Sequence, residues 1–207
     1  MSQRPRAEMI EETRAKLITS ARQAFGTQGY GNTSMDDFTA QVGLTRGALY
    51  HHFGDKKGLL AAVVAQIDAE MDTRLDAISA SASDPWSGFC QRCTAYLEMA
   101  QEAEIQRIML LDAPAVLGDL TLTLQHDCIH TLSRLLEHLM QQNLVTHAPP
   151  QALARLINGS LVDAALWIAR DEAPGERLRE ALQGLELLLR GLRVVADANA
   201  IDAINER

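Results

Sequence analysis

Between Thr45 and Lys57 the chain crowds hydroxyls, imidazoles and cations: Thr45, Arg46, Tyr50, His51, His52, Lys56 and Lys57, with Gly47 and Ala48 keeping the surface between them low. Such groups suit phosphate oxygens and base edges, because they offer donors and positive charge without a paired nucleophile and base. Thr33 and Ser34 add two hydroxyls upstream. A second set, Cys90-Gln-Arg-Cys93 with Cys128, His126 and His130, raises metal or thiol chemistry. On a helix, however, thiols at i and i+3 share one face and often just pack, and a second C-x-x-C pair is missing. Core or surface cysteines are the default, with no metal or cofactor. The six histidines accompany no nucleophile elbow and no Gly-rich phosphate loop, which argues against an enzyme. His51 and His52 are expected to face nucleic acid, whereas His126, His130 and His138 form a polar stripe or line a pocket.

The first set must be held by short helices. Ile10, Leu17, Ala21, Ala24 and Phe25 recur at threes and fours and predict a helix over about 8–27, closed by Gly26 and Gly29. Thr33 and Ser34 precede Asp36 and Asp37 in a capping-box arrangement that starts a short helix through about Val42, which Gly43 ends. Thr45 is placed to cap a helix over 46–53, where Leu49 and Phe53 share one face and leave Arg46, Tyr50 and His51 to project from another. Short helix, glycine turn, short helix predicts a helix-turn-helix whose second member can enter a major groove. Thr33, Ser34, Tyr50, His52, Lys56 and Lys57 would then hold phosphates.

The 207 residues are 47% hydrophobic but only 4% aromatic, with Ala and Leu abundant, which predicts an all-α chain without strands. Asp55 caps a long helix from Lys56 to about Ile78, and further helices are expected at about 85–101, 103–111, 116–143, 150–170 and 174–196, about nine in all. Pro114, the His147–Pro150 turn and Pro174-Gly175 separate them. Two domains follow, 1–55 and 56–207. No run of eighteen apolar residues occurs and the N-terminus is polar, so a cytoplasmic protein with no membrane partner is expected. The net charge of −8 is uneven: residues 1–60 carry eight Lys/Arg against six Asp/Glu, whereas the remainder carries eleven against twenty-one. A mildly basic head on an acidic body approaches a polyanion in one orientation, since body charges beyond about 10 Å are screened.

In the last helix Leu178, Leu182, Leu185, Leu189, Leu192 and either Val195 or Ala196 form a narrow seam of coiled-coil type. Gly159 and Ala164 lie among small residues on the preceding helix that allow close backbone approach. The seam serves either intramolecular packing or a dimer interface.

The stretch Thr33-Ser-Met-Asp-Asp-Phe-Thr-Ala-Gln-Val-Gly-Leu-Thr-Arg-Gly-Ala-Leu-Tyr-His-His-Phe-Gly-Asp-Lys-Lys-Gly-Leu59 resembles the DNA-binding signature of the TetR-type repressors over nearly its whole length. Thr39 and Val42 replace a usual Ala, Leu44 a usual Val, and Lys57 a common acid. Ile108-Met-Leu-Leu-Asp-Ala-Pro-Ala-Val-Leu-Gly118 looks like a segment found in a subset of these regulators. The resemblance implies an Ω-shaped homodimer on a palindromic operator, a C-terminal ligand-binding and dimerisation domain, and release from double-stranded DNA by a small-molecule effector. It tips the leucine seam toward an interface. An activator, or a regulator working through a protein partner, is the alternative. A mostly apolar pocket with a few polar anchors is expected to draw on Trp86, Phe89, Met99, Met109, Asp112, Leu117, His126, Asp163 and Trp167, although each also suits a plain core or surface role. Asp112, Asp127 and Asp163 would select a cationic ligand if buried.

Overall fold

The computed structural model describes residues 6–41, 43 and 45–194, and within these it has nine α-helices and one π-helical segment. One long and two short helices form the head: α1 (Arg6–Gln28), α2 (Met35–Gln41) and α3 (Arg46–Phe53). Leu17, Ile18, Ala21 and Phe25 of α1 are buried with Phe38 of α2 and Leu49 of α3, in keeping with the spacing of threes and fours. Gly43 turns the chain with φ 66, a left-handed conformation that side chains with a Cβ rarely adopt. Thr45 caps α3 as expected, its hydroxyl accepting from the Ala48 N–H at 3.2 Å.

Asp55 caps α4 (Lys56–Ser81), which buries Leu59, Leu60, Val63, Val64, Ile67, Met71 and Leu75 along one side and joins head to body. The body adds α5 (Pro85–Met99), the π-helical segment Ile105–Asp112, α6 (Ala113–Leu117), α7 (Asp119–Gln141), α8 (Pro150–Ala169) and α9 (Pro174–Arg190). No strand is present among the described residues, only an isolated antiparallel bridge between Val145 and Arg193.

Three expectations are corrected. Pro114 does not break the chain; it sits in the first turn of α6, where its missing N–H leaves no bond unmade, and the break falls at Gly118. The helix expected over 103–111 is instead π-helical, with the Ala113 N–H reaching back five residues to the Ile108 carbonyl. The last helix stops at Arg190, because Leu192 and Val194 bond back to Thr146 and Leu144. Val195 and Ala196, expected in its seam, lie outside the described residues, as do Val42 and Leu44.

Head and body are joined by polar contacts around the π-helical segment. The Arg22 guanidinium donates to both oxygens of Glu104 at 2.6 and 2.7 Å and to Glu70 at 2.7 Å. The Tyr30 N–H donates to Asp112 at 2.8 Å, and Ile108 is fully buried, with its terminal methyl on the side of α1 where Gly26 lacks a Cβ. A planar guanidinium bridging two carboxylates is stronger than a single exposed pair. Arg22→Met is expected to lower unfolding free energy by about 1 kcal/mol in urea titrations and to raise hydrogen exchange in α1 more than in α7 or α8. Equal exchange in all three helices would mean that Arg22 does not couple head to body.

Candidate DNA interface and ligand cavity

On α3 Leu49 points inward at 1% exposure and Phe53 is partly buried, leaving Arg46, Gly47, Tyr50 and His51 exposed. Tyr50 presents half of its surface to solvent although it is a large aromatic. His52 is half-buried, between the rings of His51 and Phe53. Arg46 lies 3.0 Å from Asp36 on α2, an ion pair in water that a phosphate or a guanine edge can replace. Lys57 and Ser34 are exposed.

Two side chains in the expected set turn elsewhere. Thr33 is buried, and its hydroxyl donates to the Gly29 carbonyl at 2.9 Å, so it fixes the turn into α2 rather than a phosphate. Lys56 stands over the Tyr30 ring, 4.3 Å from its centroid, and burial lowers its ammonium pKa. Spacing places a residue on a helix, but neighbouring elements decide which way a long side chain turns.

The body forms a partly open cavity of about 180 Å³ among α4, α5, the π-helical segment, α6, α7 and α8. A smaller extension of about 40 Å³ shares Asp68, Met71, Tyr96, Cys128 and Asn158 with it and reaches Arg92. Of the expected pocket residues only Met109 lines this cavity. Phe89, Met99 and Leu117 are core, whereas Trp86 stacks on Phe89 in a groove between α5 and α9. Asp112 faces the head. His126 and Asp163 are exposed, and Trp167 lies on the outer face of α8 beneath the Arg177 guanidinium. Their side-chain types suit a pocket, but helix rotation points them away.

Asp68, Tyr96 and Asn158 were not expected here. A signal existed: Asp68 interrupts the apolar stripe Val64, Ile67 and Met71, and Asn158 interrupts Ala154, Leu161 and Ala165. A polar residue inside such a stripe must either find a partner or face a cavity. Burial, reinforced by Asp72 and then Asp127, raises the Asp68 carboxyl to about 6. The three thiols are held up by burial too, Cys90 to about 11 and Cys93 and Cys128 to about 12, so each stays protonated and weakly nucleophilic at neutral pH. His126 and His130 line a shallow groove with Gln151 and Arg155, apart from the cavity.

The π-helical segment belongs to both sites. Ile105, Met109 and Leu110 line the cavity, while Ile108 and Asp112 meet the head. The Gln106 amide donates to the Ala169 carbonyl at 2.7 Å and ties the segment to the end of α8.

A helix-turn-helix head with an exposed second helix, carried on a helical body, is the arrangement of a DNA-binding transcriptional regulator. Residues 17–63 match the family of bacterial regulatory proteins named for TetR, and residues 86–192 match a tetracycline-repressor-like C-terminal domain. The chain belongs to the TetR family of transcriptional regulators. It is 61% identical to a TetR-family regulator from Pectobacterium atrosepticum, covering 93% of this chain and 99% of that one with a TM-score of 0.87. The Transposon Tn10 TetC protein of Escherichia coli is 27% identical over 77% of this chain and 81% of its own length. The regulator SrpR of Pseudomonas putida is 40% identical over 62 residues, only 30% of this chain and 29% of its own length.

A carboxyl whose pKa is raised on folding adds stability below its unfolded value near 4, and that stability is lost as pH rises through about 6. Asp72 on the same helix, Arg92 and Tyr96 on α5, and Asp127 and Cys128 on α7 set the field around Asp68. Asp68→Asn should therefore melt at a higher temperature than wild type at pH 7.5, with the gain fading toward pH 4. Melting curves followed by circular dichroism would contradict this reading if the two proteins melted together at pH 7.5.

Proposed function

We propose that this regulator is a homodimeric repressor that holds a palindromic operator through α3 and lets go when a small molecule fills the cavity. The observation that carries this is the π-helical segment, whose Met109 and Leu110 line the cavity while Asp112 holds the head at Tyr30. A ligand that displaces the segment moves the head without touching a base contact. Two heads must reach half-sites about 34 Å apart, or a multiple of that, so a change in their separation strains simultaneous docking. A ligand that favours the splayed state by about 3 kcal/mol weakens operator binding roughly a hundredfold. Operator binding places the protein in the cytoplasm.

The dimer face differs from the leucine seam. Leu185 and Leu189 are buried against α5 and α8 of the same subunit, while Leu178, Leu182 and Leu192 pack partly against the same core. Ala164 also packs inward. The residues left outside are Leu156, Gly159 and Trp167 on α8 and Gly184, Leu187 and Leu188 on α9, with Leu156, Leu187 and Leu188 each more than 60% exposed. An exposed apolar face on two adjacent helices, with glycines allowing close approach, fits a two-fold bundle with a second copy. Gly159 therefore stays in the interface, and the seam does not.

Leu187→Asp with Leu188→Asp is expected to give a folded monomer by light scattering, whereas Leu185→Asp should unfold the subunit by placing a charge in its core. A double variant that keeps the dimer mass would refute this face.

Fluorescence anisotropy against the chain's own upstream intergenic DNA tests the head. Binding should depend on the palindrome and weaken as salt rises, and the operator should overlap a promoter. Tyr50→Ala and Arg46→Ala should each weaken specific binding at least tenfold while leaving the melting temperature within about 2 °C. Undiminished binding by both variants would show that α3 does not read the operator.

A further inference from the structure

We propose that the cavity takes a small organic amine: an ammonium held by the Asp68 carboxylate, beside the Asn158 amide and Tyr96 hydroxyl, with one ring against Met71, Met109 and Leu166. The inference rests on the reading of this cavity as the effector site and names the chemistry it selects.

Size sets the first limit. A dry cavity of about 150 Å³ accepts a benzene ring. A partly open one of about 180 Å³ with a 40 Å³ extension has room for a single ring and a short polar arm. Its walls, Val64, Met71, Ile105, Met109, Leu110 and Leu166, favour an apolar body.

The polar groups decide the arm. Asn158 is only 8% exposed, lines both chambers, and has no hydrogen-bond partner among the described residues. An amide that faces the cavity from a mostly buried residue is open to a partner bound there. Asp68 also has no partner among the described residues, and the charged groups that most affect it, Asp72 on α4 and Asp127 on α7, are both acidic. The cation nearest the extension, Arg92 on α5, is engaged by Asp76 at 2.5 Å and Asp72 at 3.5 Å. Asp68 is thus a partly buried carboxylate without a counter-charge among the described residues, and burial raises it only to about 6, so it is mostly ionised at pH 7.5. A carboxylate ligand adds like charge there, and an alcohol supplies one hydrogen bond but no charge. An ammonium supplies both, with donors left for Asn158.

Isothermal titration of the full-length protein with benzylamine, 2-phenylethylamine and cyclohexylamine, against 2-phenylethanol and phenylacetate, tests the class. Operator anisotropy is read alongside. At pH 7.5 at least one amine should bind tenfold or more tightly than the alcohol, and phenylacetate should not bind. Asp68→Asn should erase that preference while still accepting the alcohol, which shows that the cavity survives. Affinity of wild type for the amine should fall as pH drops from 7.5 to 5, because Asp68 becomes protonated. Failure of all three amines, equal binding of alcohol and amine, or a preference that survives Asp68→Asn would overturn the proposal. Amine binding without operator release would leave the amine site standing and overturn release. Release by the alcohol alone would do the reverse.

Discussion

Ile105–Asp112 satisfies two neighbours at once, and the rest of the molecule is arranged around that double engagement. The wider π-helical turn changes which residues share a face, bringing Met109 and Leu110 to the cavity while Ile108 and Asp112 meet the head. π-helical geometry is rare and packs its backbone less tightly, so it persists where surrounding contacts hold it. Here those contacts are the Gln106 amide on the last carbonyl of α8, the buried Ile108 and the Asp112 carboxylate on Tyr30. Loosening any one leaves the segment fewer reasons to stay in this register.

The cavity places polar groups among apolar walls. Its walls are mostly apolar, yet Asp68 and Asn158 interrupt buried helical stripes without partners among the described residues. A core optimised for stability alone would replace both with apolar side chains of similar size. Burial raises the Cys93 and Cys128 thiols beside it well above the ordinary range, which favours their protonated form at neutral pH.

α8 is long and apolar enough to cross a membrane by length and composition alone, but only 39% of its most apolar window is buried within the subunit. It packs against α7 along one side, and Leu156 and Trp167 lie on the other. An outward face shared with α9 accounts for that hydropathy if a second copy covers it, because a bundle of four helices hides both pairs.

The sequence by itself determined the helices of the head, the caps at Thr45 and Asp55, the glycine turn at residue 43 and the core positions Leu49 and Phe25, because local periodicity and capping chemistry act over three or four residues. It also determined that Arg46 and Tyr50 stand away from that core, since helix geometry alone separates them from Leu49. Only the tertiary structure decided which partner the Leu178–Leu192 seam meets, because a stripe of leucines asks for a helix without saying whose. It likewise decided that Thr33 turns inward and Lys56 lies over Tyr30, and that Asp68 and Asn158 rather than Trp86 and Asp163 face the cavity. Those outcomes depend on how helices far apart in sequence rotate against one another, and side-chain type carries no record of that rotation.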